Sequence, residues 1–423
     1  MRVLIFQSGE PIHIDPNNRP MRLINLANQF VSKGHKVFVV SSRFDHYKKE
    51  HRISKDIIKL NENLEILLLS SPGYKKNIGI SRLWDHLILS LNLFYKLLTK
   101  KIPEQDLLIV GFPPIETTFI MVIWSKLKKL PILIDVKDLW PEIFISRLPK
   151  RLSTLIKVLI YPYKLMSIYS IRNAEIISSI SPSFLKWAQI YSKRVSCKND
   201  IVAPLVSPII ELNSFEINKS INWWQSKGIY FNKIPTICFI GTLSIAYDFN
   251  EIAKAVKLLE QNKFDFQIII CGEGTESKKI RSLFKNHKSV YFPGWVNSKN
   301  AFVLRKYSIS SIAPYLNTED FMKSIPNKII DSLTYSLPII TTLKGEVSNL
   351  INKEKCGIFI ENNYLSWKDA FEKIITHNDF QENLKKNSEK LFHKEFNYDY
   401  IYNKFINISE KIVTKQKSKK VES

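Results

Sequence analysis

The sequence predicts an α/β fold with two domains, because short apolar segments alternate twice with stretches of helical periodicity. The first series of strand-like segments runs from RVLIFQ at 2–7 to DIVAPLV at 200–206. A second series runs from PTICFIGT at 235–242 to CGIFIE at 356–361. Such alternation is typical of parallel sheets with helices on both faces, and 423 residues are enough for two such domains.

The domain boundaries follow from where the alternation pauses and restarts. We expect an N-terminal Rossmann-like domain over residues 1–206, a polar and irregular interdomain segment over 207–234, and a C-terminal Rossmann-like domain over 235–395. Aromatic and aliphatic residues at helical spacing predict a helix over about 396–415, which we expect to pack back on the first domain. Ligands of open parallel sheets bind beyond the carboxyl ends of the strands, so we expect a site in a cleft between the domains.

The composition is strongly basic, with a formal net charge of +23 from 62 Lys+Arg against 39 Asp+Glu. This charge indicates an anionic partner such as nucleic acid, an anionic membrane or a phosphorylated substrate, or else a general compositional bias toward lysine. The 4 cysteines form no C-x-x-C motif, which favours reduced thiols. No apolar run reaches the roughly 18 residues of a spanning helix, and no signal peptide is evident, so we expect a cytoplasmic protein.

Two segments combine apolar and aromatic residues with lysine and arginine, at 80–101 and 151–172. Helices of this kind can lie on an anionic bilayer. The alternative is that both helices cover the sheet and expose an ordinary solvated basic face.

The loop after the first strand has no G-x-G-x-x-G fingerprint, so it is not a dinucleotide cradle. It carries four residues that could face a cleft, namely Gly9, Glu10, Arg19 and Arg22.

Glycines follow two strands of the second series, as Gly241-Thr242 in FIGTL and as Gly272 and Gly274 in GEG. Backbone N–H groups at a strand-to-helix junction can hold a phosphate, and glycine lets a ligand approach the backbone closely. Each of these signals is weak alone, since tight turns have the same composition.

The segment SIAPYLNTEDFMKSIPNKIIDSLTYSLPII contains the most specific group of candidates. Asn327 suits capping of the helix that follows, and Lys328 in the first turn opposes the helix dipole unless it meets an anion. Asp331, one turn on, could accept the hydroxyls of a ribose. Tyr315 ends the preceding strand, and Ser324 lies in the loop. Together they indicate a nucleotide site.

A further candidate group follows an apolar strand in PILIDVKDLWPEIF, where Lys137, Asp138 and Glu142 come after Asp135. Acidic groups at the carboxyl end of a sheet strand lie where a substrate binds, although a charged strand end with Trp140 as a packing lid is the alternative. None of the 8 histidines has metal-ligand spacing, and no Walker or G-x-S-x-G motif occurs, so we expect no metal site.

In their order along the chain, these motifs resemble the GT-B glycosyltransferases of family 4, specifically the WbuB-like branch of O-antigen and capsular polysaccharide assembly. The resemblance rests on GEP, RPMR, DVKDLWPE, FIGTL, GEG, PNKIIDSLTYSLPII and CGIFI, and it covers most of the chain. In such enzymes the first loop borders the interdomain cleft, which accounts for its missing fingerprint.

The resemblance implies a retaining transfer of a sugar, of the N-acetylated amino or deoxy class, from a nucleotide-sugar donor to a lipid-linked saccharide. The donor, by family tendency a UDP-sugar, belongs on the C-terminal domain, and the polyprenyl-diphosphate-linked acceptor belongs on the N-terminal domain. The resemblance also implies a cytoplasmic enzyme, peripheral on the inner face of the cytoplasmic membrane, that needs no cofactor or metal.

The family motif E-x7-E is only half present, because Asp331 matches its second position while Lys323 occupies the first. The basic pair that commonly follows the first Gly-rich turn is absent too. Lys328, with Arg19 or Arg22, is therefore the candidate for the diphosphate charge. Ser324 or backbone groups are the candidates for the missing donor-sugar contact.

The catalytic candidates are a cation for the leaving group and carboxylates for the acceptor. Lys328 with the Gly241-Thr242 turn would stabilise the leaving diphosphate, and Asp138 and Glu142 lie on the acceptor side. Lys137 stands where many relatives have histidine.

Two other classes of protein remain as alternatives. A UDP-sugar 2-epimerase shares the two-domain shape, but PNKIIDSLTYSLP argues against it. A non-enzymatic basic protein that binds nucleic acid or a membrane surface would fit the charge. However, the charge is spread along the chain and no nucleic-acid module is recognisable, so we expect no nucleic-acid partner.

Overall fold

The computed structural model describes the chain except residues 17–18, 78, 143–152, 232–233 and 422–423. Its internal contacts divide it into two compact units. Unit 1 comprises Met1–Ser207 together with Asp399–Ser423, and unit 2 comprises Pro208–Tyr398.

Unit 1 is built on a sheet that contains eight strands among the described residues, in the order β10-β9-β8-β7-β1-β2-β6-β5. Its pairs are parallel except for β5 against β6. The strands are β1 (Arg2–Phe6), β2 (Lys36–Ser42), β5 (Ile57–Asn61), β6 (Leu64–Leu69), β7 (Leu107–Phe112), β8 (Ile132–Val136), β9 (Ile176–Ser179) and β10 (Ile201–Val202), with a short antiparallel pair of β3 (Phe44–Asp45) and β4 (Glu50–His51) outside this sheet.

The helices of unit 1 are α1 (Arg22–Ser32), α2 (Ile80–Leu98), α3 (Ile115–Lys128), α4 (Ser153–Arg172), α5 (Pro182–Ser192) and α15 (Tyr398–Val421). Side chains of α2 to α5 share one buried apolar cluster with alternate strand residues such as Leu4, Phe6 and Val110. Right-handed crossovers place α1 on the other face of the sheet, where α15 packs against it. There Arg22 of α1 lies over the rings of Tyr402 and Phe405 of α15.

Unit 2 contains a second parallel sheet, with six strands among the described residues in the order β13-β12-β11-β14-β15-β16. Its strands are β11 (Thr236–Ile240), β12 (Gln267–Cys271), β13 (Val290–Gly294), β14 (Ser310–Ala313), β15 (Ile339–Thr341) and β16 (Gly357–Phe359). Its helices are α6 (Ser214–Gln225), α7 (Asn250–Gln261), α8 (Ser277–Leu283), α9 (Ser298–Tyr307), α10 (Glu319–Lys323), α11 (Asn327–Thr334), α12 (Glu346–Glu354), α13 (Tyr364–Thr376) and α14 (Asn378–Leu391), followed by a π-helical turn (Phe392–Phe396).

The two sheets confirm the predicted α/β class. Each face of the unit 2 sheet carries its own buried cluster, one around Phe239 and Ile268 and the other around Trp224 and Ile269. Because side chains alternate between the faces of a strand, neighbouring residues such as Ile268 and Ile269 serve opposite layers.

Residues 207–234, expected to be irregular and interdomain, contain α6 and fall within unit 2 from Pro208 onward. Asn213 and Glu216 form a complete capping box at the start of α6. Trp224 near its end is fully buried and donates from Nε1 to the Asn300 carbonyl at 3.2 Å. The segment is therefore a packed layer of the second unit rather than a linker.

In the described part of the chain, no helix is both long enough and apolar enough to cross a membrane.

Candidate functional site

The carboxyl end of β11 in unit 2 carries the buried cation that the sequence singled out. Lys328 lies in the first turn of α11, and its ammonium group donates to the Ile240 carbonyl. The nitrogen lies 4.1 Å from the centroid of the Phe239 ring and 5.2 Å from that of Tyr247. Burial lowers the pKa of Lys328 to about 7, while the nearby Asp331 carboxylate opposes this shift.

Gly241 makes room for this ammonium group. A Cβ atom at Gly241 would lie 1.6 Å from Lys328 Nζ, and the backbone φ of 153° also disfavours other residues. The next residue, Thr242, is exposed. The predicted Gly241-Thr242 turn and Lys328 are thus in direct contact.

Gly272 and Gly274 follow β12 and bring its loop against the loop after β11. A Cβ atom at Gly272 would lie 1.9 Å from the Gly241 carbonyl oxygen, and one at Gly274 would lie 2.2 Å from that of Leu243. The Leu243 N–H also donates to the Glu273 carbonyl at 3.1 Å. These glycines therefore permit close packing between the loops at two neighbouring strand ends.

Asp331, one turn after Lys328, receives a hydrogen bond from Arg305 Nη2 of α9 at 3.2 Å. The Arg305 guanidinium also lies over the Tyr335 ring, at 5.2 Å from its centroid. Sequence reasoning missed Arg305, because nothing in α9 marks it as a partner of a residue 26 positions away. The Asp331–Arg305 pair would supply both a carboxylate and a guanidinium to a polar ligand.

The remaining predicted donor residues line the same end of the unit 2 sheet. Tyr315 is buried, with its ring 4.8 Å from that of Tyr247 and 4.8 Å from that of Phe321. Ser324 is buried and donates to the Phe321 carbonyl at 3.2 Å. Lys323, at the first position of the incomplete E-x7-E motif, forms an ion pair with Glu319 one turn earlier.

The expectation that Asn327 caps α11 is wrong. Pro326 occupies the N-cap position with an extended backbone, and no side-chain capping bond is formed there. Asn327 is instead the first helical residue, since the helix begins one residue earlier than the capping pattern implied.

Unit 1 has a pocket of about 260 Å³ at the carboxyl ends of its central strands. Four of the predicted residues line it, and they are Gly9, Glu10, Lys137 and Asp138. Most of the other lining residues come from the ends of β1, β2 and β7 and from the loop and first turns around α2.

Lys137 is held at the wall of this pocket by acceptors from the loop after β1 and from β8. Its ammonium group donates to Gln7 Oε1 at 2.8 Å and to the Glu10 carboxylate, and it lies 3.6 Å from Asp135 Oδ2. The second Glu10 oxygen accepts from the Leu23 N–H at 2.8 Å in the first turn of α1. Lys137 therefore has its charge balanced within the protein, whereas the exposed Asp138 adds a carboxylate to the pocket.

The pocket also contains aromatic and basic residues that the sequence analysis did not single out. His46 Nδ1 lies 2.6 Å from the Tyr74 hydroxyl, and the Arg82 guanidinium lies over the rings of Tyr74 and Trp140, at 5.4 and 4.8 Å from their centroids. Burial lowers the pKa of His46 to about 4 and raises that of Tyr47 to about 12. At neutral pH these side chains are uncharged hydrogen-bonding groups, which suit sugar hydroxyls.

Arg22 does not lie in the loop after β1, where the sequence analysis placed it as a candidate for the diphosphate charge. It begins α1, is buried, and lies 3.3 Å from Asp135 through its Nε. Its guanidinium also donates to the carbonyls of Ala203 and Pro204. Arg22 thus joins α1 to β8 and to the segment after β10.

Arg19 and Glu142 also lie outside the lining of the unit 1 pocket. Arg19 donates from Nε to Ser207 Oγ at 3.1 Å. Glu142 lies beside Tyr191, whose pKa is raised by burial and by this carboxylate. Of the two predicted acceptor-side carboxylates, the structure places Asp138 in the pocket and Glu142 outside it.

Among the residues that the structure describes, no group of three or more His, Cys, Asp or Glu side chains is arranged to hold a metal ion.

Two α/β units with parallel sheets are characteristic of the GT-B fold, and solved GT-B structures match nearly the whole chain. Sucrose-phosphate synthase from Thermosynechococcus elongatus matches with a TM-score of 0.71 and 11% identity over 98% of this chain and 99% of that one. HepE from Anabaena in complex with UDP-glucose matches with a TM-score of 0.62 and 14% identity over 98% and 100%. WaaG, a glycosyltransferase involved in lipopolysaccharide biosynthesis, matches with a TM-score of 0.60 and 12% identity over 97% and 99%.

A stretch of the sequence within unit 2 is also similar to a known family. Residues 224–391 match the family model described as glycosyl transferases group 1, and this stretch contains Lys328 and Asp331. No curated protein matched the chain. The GT-B prediction is confirmed, and the family 4 and WbuB-like assignments stay predictions.

Proposed function

We propose that the protein is a glycosyltransferase that uses a nucleotide-sugar donor. The observation that carries this proposal is the position of Lys328 and Asp331 within the stretch that matches the group 1 glycosyl transferases. Both residues lie on α11 at the carboxyl end of the unit 2 sheet, where open α/β sheets bind nucleotides.

The donor end of the reaction needs positive charge where the diphosphate leaves. The Lys328 ammonium and the Thr242 N–H would stabilise that charge without a metal ion or other cofactor, whereas the Gly241 N–H already donates to the Cys271 carbonyl at 3.0 Å. The Asp331 carboxylate, oriented by Arg305, would accept ribose hydroxyls. A UDP-sugar is the donor we propose, and the solved complexes of HepE with UDP and with UDP-glucose support this choice by analogy of fold.

The acceptor end of the reaction needs a group that orients a hydroxyl and takes its proton. Asp138 is the carboxylate we assign to this role, because it lines the unit 1 pocket together with neutral His46 and Tyr47. We propose that the configuration at the transferred sugar is retained and that the sugar belongs to the N-acetylated amino or deoxy class.

The acceptor we propose is a polyprenyl-diphosphate-linked saccharide in surface polysaccharide assembly, of the O-antigen or capsule type. Two matched structures, WaaG and the outer core galactosyltransferase WaaB, belong to lipopolysaccharide synthesis and support this context by analogy. Such an acceptor would place the enzyme in the cytoplasm, peripheral on the inner face of the cytoplasmic membrane.

The first test is a thermal-shift panel of UDP, GDP, ADP, CMP and NAD. A nucleoside diphosphate at 100 times its dissociation constant should stabilise the folded protein by about 2.7 kcal/mol and raise its melting temperature by several degrees. We expect UDP to give the shift and Asp331→Ala to abolish it.

The matched control is Asp369→Ala, which removes an exposed carboxylate from α13 of the same unit. This variant should keep the full UDP shift. A shift with NAD alone, or no shift with any nucleotide, would contradict the proposed function.

A further inference from the structure

An exposed apolar stripe runs along the whole of α2. Its members recur every three or four residues and thus occupy one side of the helix. They are Ile80, Trp84, Leu87, Leu91, Tyr95 and Leu98, with exposed fractions between 38% for Leu87 and 85% for Ile80. Ser81 is the one other exposed side chain described within α2. An amphipathic surface helix normally exposes its polar side, whereas α2 exposes its apolar side to solvent.

A second stripe of the same kind follows α4, two helices away on the same face of the sheet. It consists of Val158, Tyr161, Leu165 and Tyr169, again at spacings of three or four. Between the two stripes lies α3, which packs against both α2 and α4. The Lys126 ammonium group of α3 lies 4.8 Å from the centroid of the Tyr169 ring, so the helices form one continuous surface.

The charge of this surface has a single sign. Asp85 and Glu116 are the acidic residues in the described parts of α2, α3 and α4, and both are buried. Most exposed basic residues described on these helices gather near the carboxyl ends, and they are Lys100, Lys101, Lys126, Lys128, Lys129 and Arg172, whereas Lys164 lies in the middle of α4. Because all three helices run antiparallel to the strands they follow, these basic residues lie at one edge of the surface.

We propose that this surface, the α2–α4 face, docks on an anionic lipid bilayer. Apolar stripes with tryptophan and tyrosine and a rim of lysine are the features of structures that lie in the bilayer interface. The apolar side chains would enter the boundary of the acyl chains, while the long lysine side chains reach the lipid phosphates. A second copy of the chain would fit less well than an anionic bilayer, because each copy carries a formal net charge of +23.

This inference deepens the proposed function by naming the part of the chain that would bring the enzyme to a membrane-bound acceptor. Its test uses no nucleotide or sugar, so failure of one proposal is distinguishable from failure of the other.

The test is flotation of the full-length protein with vesicles of phosphatidylcholine alone and with vesicles that also contain phosphatidylglycerol. We expect binding to the anionic vesicles, weaker binding at 0.5 M salt, and little binding to the neutral ones. The double variant Trp84→Ala/Leu91→Ala should bind the anionic vesicles at least tenfold more weakly. Lys100→Glu and Lys128→Glu should each weaken binding by about fivefold or more.

Matched controls come from exposed residues of unit 1 outside the α2–α4 face. Ile190→Ala/Val195→Ala removes exposed apolar groups, and Lys33→Glu reverses a charge beyond α1. Both controls should bind as the unchanged protein does. Equal losses in the controls, unchanged binding in the stripe variant, or a stable dimer that the stripe variant dissolves would overturn the proposal.

Discussion

The ammonium group of Lys328 is held in surroundings that favour its neutral form. Two aromatic rings and the strand end of β11 enclose it, and burial brings its pKa down to about 7. A phosphate group that binds there would restore the preference for the charged form. If a diphosphate binds there as proposed, its binding and the protonation of Lys328 are linked.

This linkage predicts that the affinity for UDP falls as the pH rises above about 7, by up to about tenfold per pH unit. Calorimetry at pH 8 in buffers of different ionisation enthalpy should show proton uptake on binding. The stability of the free protein depends on pH in the opposite direction. Because the unfolded chain binds more protons at Lys328 than the folded chain does, the contribution of this site to the free energy of unfolding rises from pH 7 towards 10. Lys328→Met should remove the proton uptake, and an unchanged uptake in that variant would contradict the linkage.

Some site residues were visible in the sequence and others were not, for a physical reason. Lys328 and Asp331 stand out because both lie in one short helix. A lysine in the first turn opposes the helix dipole, and the aspartate lies one turn after it. Gln7, which holds Lys137 across 130 positions of sequence, has no local signature. Arg22 was misjudged on the same ground, since its partners Asp135 on β8 and Ala203 after β10 lie far away along the chain.

Helix α6 is an element whose stability depends on its first turn. Asn213 accepts a hydrogen bond from the Glu216 N–H, and the Glu216 carboxylate accepts one from the Asn213 N–H. At its other end, Trp224 anchors the helix in the core of unit 2.

We predict that Asn213→Ala lowers the free energy of unfolding of unit 2 by about 1 kcal/mol. Urea unfolding followed by tryptophan fluorescence would measure this, because Trp223 and Trp224 report on α6 itself. The control is Asn222→Ala, an exposed asparagine later in the same helix, where alanine should be neutral or slightly stabilising. Similar losses in both variants would argue against the role of the capping box.

The sequence predicted the parallel strands of both sheets, because continuous apolar runs mark strands buried on both faces, but it missed the antiparallel β5 and the short pair β3 and β4. It missed α6, although the Asn-x-x-Glu spacing of its capping box was readable. The polar composition of residues 207–234 outweighed that local signal. The burial of Trp224 depends on Asn300, which lies 76 positions later.

On the scale of the whole molecule, the chain leaves unit 1 at Ser207 and returns to it with α15. Tyr402 and Phe405 of α15 are fully buried there, and Glu410 pairs with His35 at 2.9 Å. The side chain of Gln416 also donates to the Lys129 carbonyl. The first unit is thus made from two segments that are distant in sequence.

We predict that a chain ending at Asn397 loses stability in unit 1 by several kcal/mol, since removal of one large buried aromatic side chain alone costs about 3–5 kcal/mol. Limited proteolysis with mass spectrometry should show cleavage within residues 1–207 before cleavage within 208–398. A chain lacking only residues 419–423 should resist proteolysis as the full chain does. Equal resistance of the two truncated chains would contradict this prediction.

The return of α15 to unit 1 has a consequence for biosynthesis. A ribosome finishes residues 1–207 long before it makes Tyr402 and Phe405, so the first unit waits for its last helix while the whole of unit 2 emerges. Until then the α1 face of the first sheet, including the guanidinium of Arg22, lacks its cover. Unit 2 is continuous in sequence and can complete its fold first, so the order of maturation is the reverse of the order of translation.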